Sequence, residues 1–450
     1  MATGREQFSS KMGFILAAAG AAVGLGNIWG FPTQAASNGG GAFLIVYLVM
    51  ILVVAYPMLV VELAIGRHGR ANPIDSMKVL TEKPLLKQLG AGVGVLGLMV
   101  PCLVLSFYAI VGGWIICFFL AAGCQIAGLE EAAQWLTAFT PQRNMLGAVI
   151  FYLLTAVIVQ AGVKAGIEKW SRRLMPALLV MFVVMFVYVM TLQGAVDGLK
   201  QFLIPDVSKV MNKDLLLAAM GQGFFSLTIG GCSMLIYGSY LRKDENLPKI
   251  ALNVALVDTL VAVLAGLVIL PAMYAAMAKG VQIYGAQGEL KSASTLVFDV
   301  LPTLFDNLGA MGPFAALFFF GLMTIAALTS SISMLECPVS LISEKSGVNR
   351  QAASWLLTVV IGIASIIIIF NFDALFGLVA KVATQYIQPF AAFMFCLFGG
   401  WVWQRAKKLE HIGDGIDGFE SGLFWKVWPF YVRYICPLLV AAVLWVSVFA

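Results

Sequence analysis

Long apolar runs, parted only by short charged or Gly/Pro-rich stretches, follow one another along nearly the whole chain, and nothing else constrains the fold so strongly. Eleven can be counted, at about 11–36, 41–66, 90–124, 144–162, 167–190, 214–240, 248–276, 311–343, 349–370, 375–404 and 425–449. About 20 apolar residues cross the hydrocarbon core of a bilayer as a helix, and a helix satisfies its own backbone there. The predicted fold class is therefore an all-α membrane protein with 11 transmembrane helices. Composition removes the soluble alternative: 11% of the 450 residues are charged and 61% are hydrophobic, against about 25% charged in a soluble domain. The first run lacks a small-residue cleavage signature followed by a soluble domain, so it reads as a span and not as a cleavable leader.

Residue types also exclude several chemistries. The two histidines, His68 and His411, sit in polar stretches, which argues against a His metal centre. The seven cysteines are odd in number and lie almost entirely in apolar segments; they read as small buried side chains and not as a disulfide framework. No nucleophile motif is present, so an enzyme is not expected. Lys and Arg set the orientation. With the N-terminus in the cytoplasm, Arg5, Lys11, Arg67, Arg70, Lys164, Lys169, Arg172, Arg173, Arg242, Arg350, Arg405, Lys407 and Lys408 fall inside, whereas Arg143, Lys200, Lys209, Lys213, Lys279 and Lys291 fall outside. Eleven spans then put the C-terminus outside. Lys381 and Arg433 fall within spans. The net charge of +5 is thus an orientation signal, and no nucleic-acid partner is expected.

Two runs are interrupted near their middles. The first reads Gly20-Ala-Ala-Val-Gly-Leu-Gly-Asn27, and the sixth reads Phe225-Ser-Leu-Thr-Ile-Gly-Gly-Cys-Ser233. Glycine disfavours helix, and unwound backbone at membrane depth is tolerated only inside protein or along a cavity. Paired breaks five spans apart point to a midplane binding site in a transporter built from inverted repeats.

These residues resemble a known family. Gly20 through Asn27, continuing Ile-Trp-Gly-Phe31-Pro32 and Asn38-Gly-Gly-Gly-Ala-Phe43, is similar to the first-helix signature of the neurotransmitter:sodium symporters, in particular their bacterial amino-acid branch. Glu62 before Gly66-Arg67, Ser106-Phe-Tyr108 before Trp114, Gln222-Gly-Phe-Phe225-Ser226, Tyr237-Gly-Ser-Tyr240 and Leu328-Thr329-Ser330-Ser331 continue the match. The resemblance implies one transporter domain over 1–450, with repeat one at about 11–190, repeat two at about 214–404 and an extra helix at 425–449. It implies alternating access in a bacterial cytoplasmic membrane, with sodium as the coupling ion.

The family pattern puts one Na⁺ among the Ala22 carbonyl, Asn27 and Ser226, and a second among the carbonyls of Gly20, Val23 and Ala326 and the hydroxyls of Thr329 and Ser330. Oxygen donors suit a hard cation. Asp258 lies inside an apolar run, and an acid there is costly enough to read as functional. It falls close to the position where many relatives have an Asn at the first sodium, and Ala262 stands where chloride-dependent members have Ser. A fixed carboxylate can supply the charge that chloride supplies elsewhere, so chloride-independent transport is expected. Proton uptake by Asp258 on the return step is left open.

Amine-transporting relatives carry an acid at the position of Gly24. With Gly there, the substrate is expected to bring its own carboxylate to the first sodium, to the N–H groups of Leu25 and Gly26 and to the Tyr108 hydroxyl. Its amine would meet carbonyls of Ala22, Phe225 and Ser226 and the hydroxyl of Thr228. Val104, Tyr108, Phe225, Thr228, Gly231 and Met334 would line the side-chain pocket. Gly231 replaces a large aromatic of the leucine transporter, which favours a hydrophobic or aromatic amino acid. The alternative reading is a sodium symporter for a β- or γ-amino acid or related zwitterionic osmolyte.

Tyr108 and Phe225 match the aromatic lid over the substrate. Above it, Gly30 replaces the usual Arg; its acidic partner is also missing, since Asp373 comes too early and Lys381 is the charge in the tenth span. On the cytoplasmic side Arg5, Ser239, Tyr240 and Glu344 match the inner gate, with Phe8 where Trp is usual. Gly166 and Pro176 are spaced so that the start of the fifth helix can unwind. Glu62 and Glu336 read as polar braces. A channel would need polar rows on several helices, which are not found. Oligomeric state is not encoded in any of these features.

Overall fold

The computed structural model describes residues 5–285, 290, 296–306, 308–414, 416, 419 and 422–449; Lys291, assigned above to the outer side, lies outside them. No strand forms among the described residues, and the regular elements are helices. In chain order they are α1 (Lys11–Ala22), α2 (Gly26–Ser37) and α3 (Gly41–Gly69), α4 (Pro73–Lys78), α5 (Pro84–Ile126), α6 (Glu130–Thr137), α7 (Pro141–Gln160) and α8 (Val163–Val189), α9 (Ala195–Leu203), α10 (Lys213–Ser226) and α11 (Ser233–Ser239). There follow α12 (Leu247–Ala278), α13 (Leu301–Asp306), α14 (Gly309–Lys345), α15 (Arg350–Phe370) and α16 (Phe372–Val402), α17 (Arg405–Gly413) and α18 (Phe424–Trp445).

Among the described residues nine of these helices are long and apolar enough to cross a membrane, and α1 with α2, bent by 57°, makes a tenth candidate. The run at 214–240, read from its glycines as interrupted, is two helices and not one. It forms α10 of 14 residues and α11 of 7 residues, each too short to cross alone at 1.5 Å per residue. The stretch Gly166–Pro176, whose spacing allows the start of the fifth helix to unwind, is wound in this structure: Val163–Glu168 is a π-helical turn that runs into the α-helix Lys169–Val189. Glu6 Oε2 accepts from the Val163 N–H at 2.6 Å, which caps one of the orphan donors of that helix start.

Helix α5 is the axis of the bundle. It packs along α14, α7 and α4, and Pro101 lies within it. The approach of α5 to α7 depends on a glycine pair: a Cβ on Gly113 would come within 2.4 Å of the Ala148 nitrogen, and one on Gly147 within 2.6 Å of the Gly113 carbonyl. Small residues allow such backbone contact where the hydrophobic effect does not drive helices together. Lipid-facing sides of α7, α8 and α15 expose Val, Leu and Ile, such as Val157, Val180 and Val359, as bilayer-facing helices should.

Candidate functional site

Helix α1 stops at Ala22, where Val23 adopts φ −66° and ψ 113°, and the chain becomes helical again at Gly26. Crowding as well as propensity selects Gly24: a Cβ there would lie 2.5 Å from Ser330 Oγ and 2.9 Å from Tyr108 Oη. Helix α10 ends at Ser226. The linker to α11 holds Thr228 at φ 53°, Gly230 at φ 87° and Cys232 at φ 58°. A β-branched residue in the left-handed region is strained and needs its surroundings to hold it there. Two contacts do so. The Gly230 N–H donates to Glu62 Oε1 at 2.6 Å, and Gln388 Nε2 donates to the Ile229 carbonyl at 3.0 Å.

Both breaks face one cavity of about 40 Å³, lined by Ala22, Leu25, Gly26, Val104, Tyr108, Phe225, Thr228, Gly231 and Met334. Gly24, Val100, Pro101, Ser233, Ser330 and Gln388 complete its wall. Ser226 does not line it. Tyr108 is buried and its hydroxyl oxygen accepts from the Leu25 N–H at 3.3 Å. Phe225 lies on Gly26, where a Cβ would come within 2.8 Å of the ring, and it keeps 39% of its surface exposed, so this ring is the accessible edge of the cavity. Thr228 Oγ1 is buried without a hydrogen-bond partner, a polar atom at the cavity wall that a ligand can satisfy. Beside Gly231 only the Thr228 carbonyl and Val100 Cγ1 come within 4 Å of a Cβ position, so no ring refills that corner.

Ser226 belongs to a polar cluster on the α10 side. Its hydroxyl donates to Asp258 Oδ2 at 2.6 Å, and the Tyr47 hydroxyl donates to Ser226 Oγ at 3.3 Å. Asn27 Nδ2 donates to Asp258 Oδ1 at 2.8 Å and to Ser226 Oγ at 3.0 Å. The Asn27 oxygen is turned the other way, accepting from the Gly24 N–H at 3.2 Å. Gln222 Nε2 donates to the Gly26 carbonyl at 2.7 Å. Asp258 is fully buried, and Ala262 one turn on adds no polar side-chain atom.

A second oxygen cluster joins α1 to α14. Ser330 Oγ donates to the Val23 carbonyl at 2.7 Å and reaches the Gly20 carbonyl at 3.4 Å. Thr329 Oγ1 donates to the Ala326 carbonyl at 3.0 Å, and a Cβ on Gly20 would stand 3.3 Å from Thr329 Cβ. Gly20, Val23, Ala326, Thr329 and Ser330 therefore come together, with carbonyl and hydroxyl oxygens of the kind hard cations take.

On one side of the cavity the chain is closed by charge. Arg5 pairs with Glu344, donates through Nη2 to Ser239 Oγ at 2.6 Å and stacks on Tyr240 with its Cζ 4.6 Å from the ring centre. Burial pulls the Arg5 guanidinium below its ordinary pKa. Asn72, a residue that no sequence signal singled out, donates to Glu344 through its N–H at 2.8 Å. Phe8 is buried beneath, edge-on to Phe14. Glu336 accepts from the Tyr240 hydroxyl at 2.5 Å and pairs with Arg350. The opposite side carries rings, with Arg143 stacked on Phe118 and Phe139 but in no ion pair among the described residues. Phe298 meets Trp29 at 5.8 Å and Trp114 at 5.6 Å, and Trp114 meets Phe376 of α16 at 6.0 Å. The side-chain atoms nearest to a Cβ on Gly30 belong to Gln222. Lys381 is exposed and stands 5.8 Å from the Tyr386 ring.

Val100, Pro101, Ser233 and Gln388 escaped sequence reading. Gln388 could have been suspected as a polar residue inside an apolar run followed by proline, and Pro101 as a proline inside a helix; Val100 and Ser233 carry no such signal, and only packing brings them to the cavity.

Comparison with known proteins gives a consistent assignment. The sodium:neurotransmitter symporter family matches residues 5–137 and 140–450. The uncharacterized sodium-dependent transporter YhdH of Bacillus subtilis (strain 168) is 33% identical over 457 aligned residues, covering 97% of this chain and 96% of its own length. An uncharacterized sodium-dependent transporter of Haemophilus influenzae is 30% identical, covering 98% of this chain and 97% of its own. The crystal structure of MhsT in complex with L-phenylalanine is similar with a TM-score of 0.83 and 34% identity, covering 99% of this chain and all of that one.

Proposed function

The chain belongs to the sodium:neurotransmitter symporter family, whose members are sodium-dependent membrane transporters and not enzymes, and from that membership we propose that it imports an α-amino acid together with two sodium ions, without chloride, by alternating access. The observation that carries this reading is the cavity between the two helix breaks, with the Asn27–Ser226–Asp258 cluster on one flank and the Gly20–Val23–Ser330 cluster on the other. A carboxylate entering there meets N–H groups at the start of α2, where the helix dipole favours an anion. Gly24 supports a substrate that brings its own carboxylate, because an acidic side chain at this position would collide with Ser330 and Tyr108. The apolar walls of Val100, Val104 and Met334, and the phenylalanine bound to MhsT, support a hydrophobic or aromatic side chain.

Sodium at the first site would take the Asn27 carbonyl oxygen after a half-turn of the amide, displacing Nδ2 from Asp258 and leaving that carboxylate to balance the ion. Charge balance from Asp258 is the basis for chloride independence. Counting α1 with α2, and α10 with α11, as interrupted spans gives eleven crossings, arranged as two inverted repeats of five and a further helix, with the N-terminus inside. The Arg5–Glu344 pair then closes the cytoplasmic path. The rings around Phe298 close the outer path in place of an ion pair.

A thermal-shift series on the purified chain tests this reading: hydrophobic and aromatic L-amino acids, then β- and γ-amino acids, each with sodium or with choline. Stabilisation by an L-amino acid only in sodium is expected. Stabilisation by none of the α-amino acids refutes the substrate assignment.

A further inference from the structure

Arg433 has no place in the transport site, yet it is a charge inside a candidate span, Phe424–Trp445. Its Nε is buried without a hydrogen-bond partner. Its guanidinium forms no ion pair among the described residues. Rings hold it instead: Cζ is 4.3 Å from the Trp401 ring centre and 5.5 Å from that of Tyr434. Trp401 Nε1 donates to the Arg433 carbonyl at 2.7 Å, which fixes the indole beside it. A Cβ on Gly400 would come within 3.0 Å of Arg433 Cα, so α16 and α18 are in backbone contact there.

The surroundings are basic. Lys408 of α17 is buried and donates to the Gly399 carbonyl at 2.7 Å. Burial and the charge of Arg433 push its pKa down to about 8. Arg405, Lys407 and Lys426 are exposed close by in sequence, and none of the three forms an ion pair among the described residues. The outer surface of the same region is apolar and aromatic, with Trp401 51%, Tyr434 41% and Phe430 58% exposed.

An arginine stays charged, and an uncompensated charge at this depth is expensive. Long helix side chains lean towards the helix N-terminus, which for α18 is the end beside α17. The guanidinium is thus directed to the bilayer surface on that side, where headgroup phosphates lie. We propose that Arg433, with Lys408 and the α17 cations behind it, forms a binding site for the phosphate of an anionic phospholipid, whose acyl chain lies along Trp401, Tyr434 and Phe430. Guanidinium and phosphate match as a charge-assisted, two-pronged pair, and basic clusters beside a span select anionic lipid.

The test uses the full chain in detergent, titrated with phosphatidylglycerol, with phosphatidylcholine or with inorganic phosphate, and read by thermal shift and by native mass spectrometry of retained lipid. Phosphatidylglycerol is expected to stabilise the protein and stay bound, whereas phosphatidylcholine and phosphate do neither. In Arg433→Gln the apparent affinity for phosphatidylglycerol falls by at least about tenfold, as for loss of a charge-assisted bond. In Arg433→Lys, which keeps the charge and tests for misfolding, part of the preference survives. Equal effects of both lipids, full retention in Arg433→Gln, or a shift produced by inorganic phosphate alone overturns the proposal.

Discussion

Exchanging Asp258 for asparagine removes one charge from the cavity flank and little volume. In the wild-type chain both carboxylate oxygens are engaged, with Asn27 Nδ2 at 2.8 Å and Ser226 Oγ at 2.6 Å. An asparagine at 258 has one acceptor oxygen and one donating NH₂. If its oxygen stays with Asn27, its NH₂ faces the Ser226 hydroxyl, which can accept once the Tyr47 hydroxyl, its present donor, turns to accept from it. The fold should therefore survive. Sodium binding should not: a bond to a charged group contributes about 1.5–3 kcal/mol, which at 1.4 kcal/mol per decade is roughly a 10- to 100-fold weaker ion. The assay is a sodium titration of amino-acid uptake into proteoliposomes, in chloride and in gluconate. Wild type should be indifferent to the anion. Asp258→Asn should need far more sodium in gluconate and recover partly in chloride. The reasoning is refuted if the folded variant keeps the wild-type sodium dependence in gluconate, or if wild-type uptake disappears when gluconate replaces chloride.

Gly24→Ala should abolish stabilisation by substrate while the protein still folds, since the new Cβ meets Ser330 Oγ at 2.5 Å and overpacking costs about 1–3 kcal/mol; thermal shift with and without the amino acid reads it. Gln388→Leu leaves the Ile229 carbonyl without its donor, a loss of about 1–3 kcal/mol visible as a lower melting temperature that substrate does not restore. Arg5→Ala removes the partner of Glu344 and Ser239 and should expose the buried Cys232 and Cys337 to a membrane-impermeant maleimide applied from the cytoplasmic side; unchanged labelling contradicts the inner-gate role. Lys408 has a pKa of about 8 in the folded chain and about 10.4 when unfolded, so the unfolded state binds more protons between these values and stability should rise with pH across that window. Lys408→Met should flatten the rise in a melting series from pH 7 to 10.5.

Much of the architecture is legible in the residue order because the bilayer is an unforgiving solvent. Apolar runs mark the helices, and glycines at Gly20–Gly26 and Gly230–Gly231 mark where helix cannot continue. Asp258 stands out because an acid in an apolar run has few innocent explanations. The same logic fails where a residue is unremarkable alone. Val100 and Ser233 are ordinary helix residues until α5 and α11 are packed, and Asn72 becomes a partner of Glu344 only because α4 is folded beside α14. The break in the run 214–240 is legible from its glycines, but the positive φ at Thr228 and Cys232 that shapes it is not.

The sequence by itself determined that this chain lives in a membrane, where its helices are interrupted and which family it belongs to. It did so because these depend on local composition and on spacing along the chain. The tertiary structure decided the rest: that Asn27 presents its nitrogen to Asp258, that Glu62 and Gln388 pin the loop between α10 and α11, and that rings around Phe298 stand where a charge pair is absent. Each of these is a contact between residues far apart in the chain. Close packing of helices, which no single segment encodes, sets their distances and directions.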